Sequence, residues 1–325
     1  MIVLITLSSL IGLALIILAI YFLLCTYLCK FLSFPKTYDK EYAHNLDIEK
    51  GLIDLDMSYL KREPLNIKAE DSTLIKGDFS YNPKNKGIVI IAHGYTWNRE
   101  GSLKYGKIFY KHGYSIYIYD ERGHGESEFK YTTMGYNEAK DVRDIVKFFR
   151  EKYGEEIIIG LHGESMGAAS VMNSLKYDLD IDFVVDDCGY NSLEKLICYK
   201  LKSMRLPRIM LKGCNLILKR KYKYCFNDVI PIESVSKTKI PILIVHGKKD
   251  TMVPYYHAEE IYERNKDHAY LYSLEGVEHA KMFETDIDEY ERVLIDFLKK
   301  VGLENGRKKK RKKCKNFFGC VARSC

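Results

Sequence analysis

The stretch HGESMGAAS, His162 to Ser170, follows the apolar run EEIIIGL and contains Gly163-Glu164-Ser165-Met166-Gly167, a GxSxG pattern. Such glycines permit a tight strand-to-helix turn in which the serine takes a strained backbone and its hydroxyl projects at a helix N-terminus. The bare pattern arises by chance in on the order of one such chain in ten, so its place between strand and helix carries the weight. A serine is a poor nucleophile unless a base takes its proton and an acid orients that base. Asp250 lies beyond the apolar run in PILIVHGKKD, 85 residues after Ser165, and His279 follows AYLYSLEGVE, 29 residues further on. The chain order Ser, Asp, His is one of those that parallel-sheet folds use for this chemistry.

The competing residues are weaker. His257 falls in the helix after Asp250 and His268 before the last strand, which reads as surface for both. Asp186 and Asp187 follow another strand end and could supply the acid, but a carboxylate there serves equally as a cap or hydrogen-bonding support. A tetrahedral intermediate also needs two backbone donors for its oxyanion. Met166, after the serine, offers one, and Tyr95, after the strand-ending His93-Gly94, offers the other.

The elements that must position these residues are legible as alternation. Short apolar runs at Ile88 to Ala92, Ser115 to Tyr119, Ile157 to Leu161, Phe183 to Val185 and Ile242 to Val245 read as buried parallel strands. Between them, Leu103 to His112, Tyr136 to Tyr153, Met166 to Tyr177, Tyr255 to Asn265 and Tyr290 to Leu303 read as helices, so the fold class is α/β with a mostly parallel sheet covered on both faces. In such sheets ligands bind beyond the carboxyl ends of the strands, where the candidate residues lie. The alternation fails between about 190 and 239, which is helical, apolar and basic, and reads as a cap inserted over the sheet. GxGxxG is incomplete around Gly123 and Gly125, and the scattered His-Gly pairs lack metal-ligand spacing. Neither a cofactor nor a metal is expected, and Arg122 and His124 read as loop-pinning residues.

Residues 1–29 contain no charged side chain and, as a helix, exceed the roughly 30 Å of a bilayer core. A cleaved signal would need a basic start, a shorter apolar stretch and a small-x-small site, none of which is evident. A single-pass anchor in the cell membrane is expected. Lys30, Lys36 and Lys40 follow the span while none precedes it, which places the domain on the cytoplasmic side. Residues 30–60 read as linker and lead-in helix, 61–303 as the catalytic domain, and 304–325 as a basic, disordered tail. Eight of the nine residues from Arg307 to Lys315 are basic; removing those eight from 51 leaves 43 basic residues against 44 acidic ones, so the formal charge of +7 belongs to the tail. Such a run is solvated or meets anionic lipid beside the anchor, and specific nucleic-acid binding is not expected. Nine cysteines without a CxxC pair argue against a disulfide framework or a zinc site.

Taken together, HGxxxN at His93 to Asn98, DxRGHGxS at Asp120 to Ser127 and GxSxGA at Gly163 to Ala168 resemble the α/β-hydrolase superfamily, in particular membrane-anchored bacterial hydrolases of the serine-aminopeptidase-like group and their lipase and esterase relatives. The likeness covers roughly residues 65 to 302. It implies a nucleophile at Ser165, base at His279, orienting acid at Asp250 and an oxyanion hole at Tyr95 and Met166. The expected activity is cofactor-free hydrolysis of an ester, thioester or amide, most simply of a small acyl, ester or lipid-like substrate. An aminopeptidase-like activity is the alternative within that class, and a catalytically silent membrane scaffold the alternative outside it.

Overall fold

The computed structural model describes residues 2–303 and 305–306. Ten strands form, in chain order: β1 (Glu63–Pro64), β2 (Ile67–Lys68), β3 (Leu74–Ile75), β4 (Gly77–Ser80), β5 (Ile88–Ala92), β6 (Ser115–Tyr119), β7 (Ile159–Glu164), β8 (Phe183–Asp187), β9 (Ile242–Gly247) and β10 (Ala269–Leu274). Eight of them make one sheet in the order β1-β4-β6-β5-β7-β8-β9-β10, while β2 and β3 pair apart from it. From β6 to β10 every neighbour is parallel; β1 and β4 are antiparallel additions at one edge. This is the expected α/β class. Strands β7, β8 and β9 run further than their apolar cores suggested, because the polar residues at their carboxyl ends remain paired in the ladder.

Among the described residues there are eleven helices: α1 (Ile2–Ser33), α2 (Lys40–Glu49), α3 (Leu103–Lys111), α4 (Asn137–Tyr153), α5 (Met166–Ser174), α6 (Leu193–Ser203), α7 (Met210–Tyr222), α8 (Pro231–Val235), α9 (Tyr256–Arg264), α10 (Met282–Thr285) and α11 (Ile287–Lys300). Both sheet faces are apolar, so side chains of one strand divide between two cores. Ile88 and Ile90 of β5 pack with Val142, Ile145 and Phe149 of α4, whereas Val89 and Ile91 pack with Leu103 of α3 and Phe297 of α11. A third cluster joins α6 and α7, the helices of the expected cap, to α1 and the loop before α4.

The N-terminal helix departs from the expected boundary. It continues past residue 29 to Ser33, and its last turns are docked on the protein. Cys25 and Cys29, which the sequence assigned to the membrane segment, are buried against α7. Their thiols donate to the carbonyls of Met210 and Cys214 at 3.7 and 3.6 Å. Gly213 of α7 makes this approach possible, since a Cβ there would lie 2.6 Å from both Cys25 Sγ and the Tyr21 hydroxyl. The stretch of α1 before Tyr21, Ile2 to Ile20, is about 28 Å long at 1.5 Å per residue, close to a bilayer core, and its Ala14, Ile17 and Leu18 border an open groove with Ile209 and Leu216. The lead-in helix is α2, and the segment around it is bound to the domain rather than running free. Leu52 and Ile53 join the core on the α3 and α11 side, and His44 meets Glu100 at 3.1 Å.

Arg122 pins loops as expected. Its guanidinium binds Asp141 of α4 at 2.5 Å and Asp71 at 2.6 Å. His257, expected at the surface, is fully buried instead, with Nδ1 2.7 Å from the Asn191 side chain, because α9 packs on the loop leading into the cap. Burial holds His93 and His124 down at about 4 and His162 and His257 at about 3. Each therefore stays neutral when folded but gains a proton when unfolded below about pH 6.5, so each removes about 1.4 kcal/mol of stability per pH unit from there down to its own folded value. Buried carboxyls such as Asp186, pushed up to about 7, gain stability as the pH falls through the same range, so the histidine contribution is read by difference. The urea unfolding free energy of the full chain in detergent, taken relative to that of His257→Gln, should fall by about 1.4 kcal/mol per pH unit between about pH 6.5 and 4; a difference that does not change with pH would contradict the burial of that ring.

Candidate active site

Ser165 occupies the turn between β7 and α5, with φ 55° and ψ −110°. A non-glycine residue in this left-handed region costs on the order of 1–3 kcal/mol and persists only where its surroundings over-determine it. Here they do. The Ser165 amide donates to the Asp187 carbonyl at 2.7 Å, and its carbonyl accepts from Ala169. A Cβ on Gly163 would come within 2.4 Å of the Gly167 and Ala168 backbone, and one on Gly167 within 2.4 Å of the Ala92 carbonyl. Both glycines of the motif are thus fixed by close packing of α5 onto β5 and β7.

His279 lies in the loop after β10 and Asp250 in the loop after β9, and the parallel sheet brings both to Ser165. The carboxylate can only accept, so His279 donates from Nδ1 to Asp250 Oδ2 at 2.6 Å and keeps Nε2 to accept from the Ser165 hydroxyl at 2.9 Å. Asp250 is buried, which opposes its charge, but hydrogen bonds from His246 and His279 and from the Val253 amide outweigh this and hold the carboxyl well below its ordinary range. Its Oδ1 accepts from the amides of Met252 and Val253, both at 2.8 Å. His246, at the end of β9, holds the same carboxylate from the other side: Nε2 stands 3.2 Å from Asp250 Oδ2 and 2.8 Å from the Val253 carbonyl. The sequence reading passed over His246 as one more His-Gly pair; its signal was a spacing of four residues from Asp250 across a strand end.

The alternative acids sit elsewhere. Asp186 accepts from the Gly189 amide, and Asp187 from the hydroxyls of Tyr105 and Tyr290 at 3.1 and 3.0 Å. Burial pushes the two carboxyls up to about 7 and 6. Tyr95 and Met166 both line the cavity above Ser165, and neither amide has a hydrogen-bond partner among the described residues. His93 shapes the Tyr95 loop: Nε2 accepts from the Glu121 amide at 3.0 Å, so Nδ1 donates to the Gly94 carbonyl at 2.8 Å. An oxyanion between these two free amides would also face the N-terminus of α5.

Beneath the turn lies a polar cluster with no clear sign in the sequence. Lys104 of α3 reaches the Glu164 carboxylate at 2.6 Å, and the Tyr105 hydroxyl donates to it, also at 2.6 Å. Burial opposes the charge of Glu164, but Lys104 outweighs it and holds the carboxyl below its usual range. The only grouping of possible metal donors among the described residues is Cys188 with Asp250 and His279, their atoms lying within 4.8 Å of one another. Asp250 and His279 already satisfy each other there, and burial pushes the Cys188 thiol well up, away from the thiolate a metal would need.

The cavity over Ser165 has a volume of about 250 Å³ and is almost wholly apolar. A larger depression of about 650 Å³ between α3 and α11, bordered by Asp54, Tyr59 and Lys107, is open and distant from these residues. A mostly parallel sheet with a strained serine turn, and a histidine and an aspartate hydrogen-bonded in line with it at the carboxyl edge, is the arrangement expected of a hydrolase of the α/β class. Residues 83–184 match the family described as serine aminopeptidase, S33. The chain is 32% identical over 228 residues to the protein YqkD of Bacillus subtilis, which covers 69% of this chain and 75% of that protein. It is 24% identical to the protein YfhR of Escherichia coli, over 73% of this chain and 80% of that one. A solved esterase from Pyrococcus furiosus superposes with a TM-score of 0.63 at 25% identity, over 76% of this chain and 95% of the esterase. The chain belongs to the α/β-hydrolase superfamily.

Replacing Lys104 by Met leaves the Glu164 carboxylate buried without its cation and should destabilise the protein by about 3–5 kcal/mol. Adding Glu164→Gln should recover part of that loss. Equal unfolding free energies for Lys104→Met and the wild type would show that the ion pair does not support the turn.

Proposed function

We propose that the protein is a membrane-anchored serine hydrolase that cleaves an ester, thioester or amide, most readily a carboxylic ester, through an acyl-enzyme. The observation that carries the reading is the continuous relay from Ser165 Oγ to His279 Nε2 and from His279 Nδ1 to Asp250. In this mechanism Ser165 Oγ attacks the carbonyl carbon while its proton passes to His279 Nε2. Asp250 holds the resulting imidazolium, and the amides of Tyr95 and Met166 stabilise the oxyanion. Collapse expels the alcohol, thiol or amine, which takes the proton from His279. Water, deprotonated by the same nitrogen, then attacks the acyl-serine and releases the acid. No step calls for a cofactor.

The α1 helix serves as the single-pass anchor in the cell membrane, with the 61–303 hydrolase domain and its 190–239 cap in the cytoplasm. The basic run Arg307 to Lys315 lies outside the described residues; its charge suits anionic lipid on the same face. An aminopeptidase must hold a substrate α-ammonium, which calls for a carboxylate. Among the described residues none lines the cavity over Ser165, whose basic groups are Lys200 and His279. That lining favours an acyl substrate, as does the likeness to an esterase.

A fluorophosphonate probe should label the full chain at Ser165. Ser165→Ala should abolish labelling and lower nitrophenyl ester hydrolysis on the order of 10⁶-fold, and Asp250→Asn on the order of 10⁴-fold. Labelling that survives Ser165→Ala would overturn the assignment. Faster turnover of aminoacyl nitroanilides than of nitrophenyl esters would favour the peptidase.

A further inference from the structure

The wall of the cavity over Ser165 is built partly from the N-terminal helix. Leu28, Phe31 and Leu32 of α1 line it together with Leu196, Ile197 and Leu201 of the cap. At 100° per residue, Ile17, Ile20, Leu24, Leu28, Phe31 and Leu32 share one side of α1, so the lining residues continue as an unbroken apolar stripe into the stretch of the helix before Tyr21. Leu24 is 45% exposed and Phe31 63% exposed, although Phe31 borders the cavity. Met204 and Met252 on the opposite rim are likewise more than half exposed. A cavity mouth ringed by bare apolar side chains, at the foot of a helix long enough to cross a bilayer, is unfavourable in water and suited to a lipid interface.

Charge adds a second, independent observation. From Leu193 to Lys223 the cap carries ten Lys and Arg residues against one acidic residue, Glu194. Lys200 lies at the rim itself, its Nζ 3.2 Å from the Thr251 carbonyl. Docking of α7 on Tyr21 and Cys25 holds this basic surface beside the point where α1 leaves the domain, at headgroup depth when the helix spans.

We propose that α1 is part of the substrate site: the acyl chain of an anionic amphiphile resident in the leaflet slides along its Leu24–Leu28–Phe31 side and enters between α1 and the cap, reaching Ser165 without crossing water. The cap cations hold the headgroup at the rim. This rests on Ser165 being the nucleophile and α1 a span. It assigns the anchor a second role, since the chain-binding wall exists only while α1 is docked on α7.

The test uses the full chain reconstituted in phosphatidylcholine vesicles with or without phosphatidylglycerol, assayed on nitrophenyl palmitate in the bilayer and nitrophenyl butyrate in water. Leu28→Trp should fill the wall and lower kcat/KM for palmitate by about tenfold or more relative to that for butyrate, with an unchanged urea unfolding transition reporting that the fold is intact. Leu24→Trp, further out on the stripe, should show a weaker loss in the same direction. Phosphatidylglycerol should raise the wild-type rate on palmitate severalfold, and Lys200→Glu with Arg208→Glu should remove that gain. Equal effects of Leu28→Trp on both esters, no effect on either, or faster turnover of a dissolved palmitoyl thioester than of the bilayer ester would overturn the proposal. Failure of the wild type to hydrolyse butyrate or to take up the fluorophosphonate would instead overturn the nucleophile assignment on which it rests.

Discussion

The backbone of Ser165 is held at φ 55°, a conformation that its side chain disfavours, and much of the molecule is arranged to keep it there. Strain of this kind lifts the hydroxyl off the sheet edge and leaves the next amide unbonded at a helix start. Three elements share the load. Strand β8 accepts the Ser165 amide, α5 packs so tightly that only glycine fits at residues 163 and 167, and the Lys104–Glu164 pair ties the preceding residue to α3. A turn held from one side alone would relax into an ordinary strand end.

The same logic governs the electrostatics. Asp250 keeps its charge inside the protein because four groups stand against it as donors: His279, His246 and the amides of Met252 and Val253. Asp186 and Asp187 are buried more deeply and have fewer donors, and burial pushes their carboxyls up instead. Similar residues at neighbouring strand ends thus acquire different acidities from their burial and hydrogen bonding, not from their type.

Helix α1 meets two surroundings along its length. Its turns before Tyr21 are largely exposed, while Tyr21, Cys25 and Cys29 are packed as a protein core against α7, with Gly213 allowing the close approach. A uniformly apolar sequence does not distinguish them, so the division between exposed and packed turns is invisible in its composition. Position along the helix, set by where the cap begins, makes the difference.

The sequence alone determined a good deal: the alternation that yields a parallel sheet, the glycine-flanked serine, the later strand-end aspartate and histidine, and the apolar helix at the start. These are local signals, carried by periodicity of two or 3.6 and by residues whose backbone freedom or polarity is distinctive within a few positions. Tertiary structure decided what depends on partners distant in the chain. It alone showed His246 beside Asp250, Lys104 under Glu164, His257 buried against Asn191, and Leu28 and Phe31 lining a cavity with residues of the cap. Each of those roles requires two segments to meet in space, and a side chain's type does not record which segment it will meet.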